Sequence, residues 1–95
     1  MATKVGLLHL DLLINDAMSL KDKRRVLKGF KDRIAHGRNV SVAEVDHLDS
    51  IRRAALAVAM VGNDARYLTG ALQQIVNAAG GHRAWVLLDH EIELM

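Results

Sequence analysis

The sequence predicts an α+β sandwich of order βαββαβ, with a four-stranded antiparallel sheet and both helices packed on one of its faces. Three observations support it. Apolar residues alternate in the first and third strand candidates, two other segments repeat them at helical spacing, and each helical segment falls between strands in a chain of 95 residues.

Residues 4–14, KVGLLHLDLLI, put Leu8, Leu10, Leu12 and Ile14 on one side of a strand and Leu7, His9, Asp11 and Leu13 on the other. An apolar side beside a mixed one suits a central strand with one face on the core. After the polar connection NDAM, Ser19 stands where an N-cap belongs, and Asp22 takes the place of a capping-box acid. Leu20, Val26, Leu27, Phe30 and Ile34 share one helix side, and Gly37 after His36 ends the helix near residue 36. NVSVAEVD, residues 39–46, is β-branched and alternating and predicts the second strand, with HLDSIRR as a loop. AALAVAMV, residues 54–61, is the third, with Leu56, Val58 and Met60 opposite Ala55, Ala57, Ala59 and Val61. Asn63 or Asp64 caps a second helix over 65–79, whose stripe is Leu68, Leu72, Ile75 and Ala79, and Gly80-Gly81 stop it. RAWVLLDHEIEL, residues 83–94, is the last strand, with Val86, Leu88, Ile92 and Leu94 aligned on one face. Two right-handed crossovers then place the first and third strands at the centre, which is the ferredoxin-like arrangement.

Once those elements are placed, SLKDKRRVLKGFKDR and NVSVAEVDH, with VGLLHLDL and LAVAMVGND, resemble the small bacterial YlxP-like family of unknown function over most of the chain. The resemblance implies a ferredoxin-like fold and a bacterial cytoplasmic protein. Such proteins are in many bacteria encoded beside translation-initiation and ribosome-maturation factors, which implies association with RNA or the ribosome. It carries over no reaction, cofactor or catalytic residue. Two stretches depart from the family pattern: NDAM stands where Pro-Gly is frequent, and HLDSIRRA where a loop with glutamine and tryptophan is common.

Composition narrows the classes further. One domain accounts for the length, and 51% apolar with 25% charged residues describes a globular chain. The lack of cysteine excludes disulfides, zinc–thiolate sites and thiol nucleophiles, and fits a cytoplasmic location. Asp11 interrupts the apolar N-terminal run, so no secretory signal is expected, and no run approaches the roughly 20 apolar residues of a membrane span.

Charge is concentrated in one place. Residues 19–33 hold seven cations and two acids, +5 against +2 for the whole chain, so the remainder sums to −3. At 100° per residue Lys21, Arg24, Lys28 and Lys31 share a sector opposite Phe30 and Ile34, with Arg25 at its border and Asp32 near its edge. Lys23 falls on the apolar side, where its stem is expected to pack and its ammonium to snorkel out. The second helix carries Arg66, Gln73, Gln74 and Asn77 outward, a single charge. A cationic stripe grips successive phosphates, although Lys and Arg also accumulate on outer helix faces as good helix formers. The expected phosphate contacts are Lys21, Arg24, Arg25, Lys28 and Lys31.

The sheet face away from the helices is expected to show Leu7, His9, Asp11, Leu13, Ser41, Ala43, Val45, Ala55, Ala57, Ala59, Val61, Trp85, Leu87, Asp89 and Glu91. RNA-recognition motifs stack bases on aromatics at the two central strands, and here those strands offer His9 and alanines instead. A broad, partly apolar face points to a homodimer through Leu7, His9, Asp11, Ala43, Ala55, Ala57, Ala59, Trp85 and Leu87. His9, Asp11, Asp46 and His47 are the residues best placed for a metal or an acid–base pair, yet HExxH, CxxC and EF-hand spacings are absent. No phosphate-binding glycine loop occurs either, so no cofactor, metal or small-molecule substrate is indicated. The combined expectation is a non-enzymatic, dimeric module for structured RNA or a ribosomal particle. The alternatives are a protein-interaction module using the sheet face or a strand edge, and a metal-dependent enzyme.

Overall fold

The computed structural model describes residues 2–95. Its elements are β1 (Lys4–Ile14), α1 (Leu20–Ala35), β2 (Ser41–Asp46), β3 (Arg53–Gly62), α2 (Ala65–Gly80) and β4 (Trp85–Leu94). All strand pairs are antiparallel and the order is β2-β3-β1-β4, so β1 and β3 are central and the fold is ferredoxin-like as expected.

One layer of side chains lies between the sheet and the helices. Leu8, Leu10, Leu12 and Ile14 of β1 and Ala54, Leu56, Val58 and Met60 of β3 meet Leu27, Phe30 and Ile34 of α1 and Leu68, Leu72, Ile75 and Ala79 of α2. Each fully buried Leu or Ile contributes about 1.5–3 kcal/mol through loss of apolar contact with water. The capping chemistry is as read. Asp22 N donates to Ser19 Oγ at 3.1 Å, and Asp22 Oδ2 accepts from Met18 N at 3.1 Å. Asp64 is the second cap, accepting from Arg66 N and Tyr67 N. Gly37 leaves α1 with φ of 71°, a conformation that suits glycine. At Gly6 a Cβ would sit 2.8 Å from Leu72 Cδ1, so a side chain there would force the buried Leu72 to shift.

Two bulges change what the edge strands present. Asp11 faces Asp89 and Leu12 faces Leu87, which leaves Leu88 as an extra residue in β4. In β2, Glu44 faces Leu56 and Asp46 faces Ala55, so Val45 is extra. An inserted residue reverses the inward–outward alternation beyond it. The alignment of Val86 and Leu88 with Ile92 and Leu94 is therefore broken: Val86 and Leu88 are 49% and 46% exposed, while Ile92 packs against the core. Trp85 is 3% exposed and Leu87 is partly buried on the helix side.

Candidate functional site

The site begins with the residue that fixes α1 to the edge of the sheet. Lys23 is completely buried, which corrects the expectation that its ammonium reaches water. Nζ lies 2.8 Å from Glu44 Oε2 as a charge contact and donates hydrogen bonds to the carbonyl oxygens of His47 at 3.0 Å and Arg53 at 3.1 Å. The His47–Arg53 loop wraps over the helix end and closes the route that snorkelling requires. His47 takes a left-handed φ of 58° and Asp46 Oδ1 accepts from His47 N, so this turn presents its carbonyl to the lysine. The ion contact thus joins α1, β2 and the β2–β3 loop.

On the outer side of the same helix Lys21, Arg24, Arg25 and Lys28 are exposed and Lys31 is half-buried. Two are paired locally: Lys28 Nζ with Asp32 Oδ2 at 2.7 Å, and Arg25 with Asp22 at 3.8 Å. Exposed pairs of this kind contribute little and dissociate readily. Arg24, Lys28 and Lys31 also form one wall of a groove of about 700 Å³, whose other side is β2, through Val42, Ala43 and Glu44, with Leu48 at the rim. The cationic stripe therefore overlooks a sheet edge, a relation that no helical wheel contains.

The open sheet face keeps most of its expected members. Register places Leu7 opposite Ala59, His9 opposite Ala57 and Asp11 opposite Ala55, and Ala43 lies opposite Ala57 on the other side. Trp85 and Leu87 do not belong to it; the β4 bulge turns both toward the helices. Leu13, Val61 and Val86 are its exposed apolar residues. Asp11 and Asp89 face one another, and the Arg53 guanidinium binds both oxygens of Asp11, at 2.8 and 2.9 Å, which offsets a like-charge pair. Asp11 thus has a partner in Arg53, Asp46 and His47 are engaged in the turn that holds Lys23, and His9 lines a shallow pocket with Asp11 and Asp89 on the open face, away from that turn. The four acid–base candidates do not converge, and no cluster of three metal-type ligands occurs among the described residues.

A second polar feature escaped the sequence reading. His82 stacks on Trp85 at 3.8 Å between centroids and meets Phe30 edge-on at 5.6 Å. Its Nδ1 accepts from Ala84 N at 3.1 Å, and Trp85 Nε1 donates to Ala79 O at 2.9 Å. Burial, and then the charge of Arg33, lower the His82 pKa from its usual value and favour the neutral ring. The only sequence signal was the Gly-Gly-His run after α2, which marked a helix end and no more.

A family model described as a protein of unknown function, DUF503, matches residues 5–92. The chain belongs to the DUF503 family. It is 32% identical over 72 residues to the uncharacterized protein YlxP of Bacillus subtilis, covering 76% of this chain and 78% of that one. The DUF503 domain also shares its fold with the de novo designed protein Foldit4, at TM-score 0.56 and 11% identity over 97% of this chain and 96% of that one. SnoaB, a cofactor-independent oxygenase from Streptomyces nogalater, matches at TM-score 0.52 and 15% identity over 97% of this chain and 90% of that one. Identities this low describe the fold of the DUF503 domain and not its chemistry. No helix among the described residues is long and apolar enough to cross a membrane.

Proposed function

We propose that this DUF503 protein is a non-enzymatic binding module that grips the phosphate backbone of RNA, on its own or in a ribosomal particle, through α1. One observation carries the reading: α1 exposes a row of cations on a helix tied to the sheet edge by a buried lysine, whereas the one charged side chain α2 exposes, though solvated by the same fold, is Arg66. Lys21, Arg24, Arg25, Lys28 and Lys31 supply phosphate contacts that position the RNA without reading its sequence. Charge reversal tests this directly. In a filter-binding or anisotropy titration with ribosomal RNA, Lys28→Glu with Lys31→Glu is expected to weaken binding by at least about tenfold and to flatten its salt dependence. The melting temperature should stay within a few degrees, because neither side chain enters the core. RNA affinity indifferent to both changes would refute the proposal.

A second reading concerns the open sheet face, which we propose pairs with its counterpart in a second copy. Leu7, His9, Asp11, Ala43, Ala55, Ala57 and Ala59 would form the contact, without Trp85 and Leu87. Alanine rows beside exposed Leu13, Val61 and Val86 allow two such faces to approach closely.

A further inference from the structure

Resting on the RNA reading above, we infer that the groove between α1 and β2 takes a single unpaired ribose-phosphate strand rather than a duplex. Arg24, Lys28 and Lys31 all stand on the α1 wall. At 1.5 Å of rise per residue they span about 10 Å along the helix axis. They form one row of cations, which matches one row of phosphates.

The opposite wall is what separates the two forms of RNA. β2 is an outer strand paired only with β3, so alternate N–H and C=O groups along its free side have no partner in the sheet. Unpaired bases carry open donor and acceptor edges that can meet those groups, whereas a duplex seals its Watson–Crick edges inside. Val42 and Leu48 add apolar surface that a splayed base or ribose covers and a duplex crossing the α1 crest does not. No aromatic side chain lines the groove, so recognition rests on charge and on hydrogen bonds to base edges rather than on stacking. The two carboxylates present are already engaged, Glu44 by Lys23 and Asp32 by Lys28. The exposed Lys28–Asp32 pair is the one a phosphate displaces, so Asp32 competes with the incoming strand.

The test is an anisotropy titration of the intact protein with a labelled oligouridine of about eight nucleotides. The competitors are unlabelled single strand, duplex RNA of equal length and a polyglutamate peptide. Single strand is expected to displace the label at least about tenfold better than duplex, and log affinity to fall against log salt with a slope near −2 for three contacts. Asp32→Asn should tighten binding, and Leu48→Asn should weaken the single strand while leaving duplex binding unchanged. Equal displacement by duplex and single strand overturns the groove assignment and leaves the helix reading standing. Failure of both RNAs to bind overturns both readings. Superior displacement by polyglutamate also overturns the inference and assigns the groove to an extended acidic peptide adding to β2.

Discussion

Lys23 shows how much one side chain can determine. Removing its ammonium leaves Glu44 and two carbonyl oxygens without their partner in a site that excludes water, and breaking a buried pair from one side costs about 3–5 kcal/mol. Lys23→Met should therefore lose about that much stability in urea denaturation, although the stem volume is nearly kept. Adding Glu44→Leu should recover part of the loss, because the unpaired carboxylate leaves with it. A Lys23→Met protein as stable as the parent would show that the buried contact holds nothing in place. The sequence placed this lysine correctly on the apolar side and erred on its ending. Snorkelling needs open water beyond the helix, and the His47–Arg53 loop, brought in by β2–β3 pairing, occupies that space.

At the scale of elements, the turn from α2 into β4 is held by His82, Trp85 and Phe30, and this gives it a pH dependence. The folded His82 pKa lies below that of the unfolded chain, near 6.5, so between the two values the unfolded state binds more protons. Stability from this group is complete above about pH 6.5 and declines as pH falls toward the folded pKa. The protonated ring would lose its Nδ1 acceptor for Ala84 N and face Arg33 as a like charge. The stability advantage of the parent over His82→Gln, read from urea curves at several pH values, should be largest near neutrality and shrink on acidification. An advantage constant from pH 7.5 to about 5 would contradict this linkage. Elements were also where legibility in the sequence was uneven. Caps, glycine stops and helix stripes are local, so Ser19 and Gly37 were readable directly and the second cap was narrowed to Asn63 or Asp64, of which the structure uses Asp64. The bulge at Leu88 was not, because it is a mismatch of register between β4 and β1 that neither strand expresses alone.

For the whole molecule, the two sides of the sheet have different expected partners. Helices cover one side, and the other leaves Leu13, Val61 and Val86 exposed around alanine rows. If two copies join through that face, sedimentation at micromolar concentration should give a dimer, and Ala57→Arg should return it to monomer with its helical content unchanged. A monomeric parent protein would dispose of the dimer. The cationic stripe proposed to bind RNA lies on the opposite layer, so under that proposal the Ala57→Arg monomer should retain the affinity of one site and lose only the gain from joining two.

The sequence by itself determined the element order, the core stripes, the caps and the separation of charge onto α1, because each depends on neighbours within one or two turns or along one strand. Only tertiary structure decided that Lys23 is sealed from solvent, that Trp85 and Leu87 turn toward the helices, and that the cations of α1 look across a groove at the free edge of β2. Those three outcomes depend on which segments lie side by side across tens of residues. That is a property of strand register and loop closure, which local spacing does not encode.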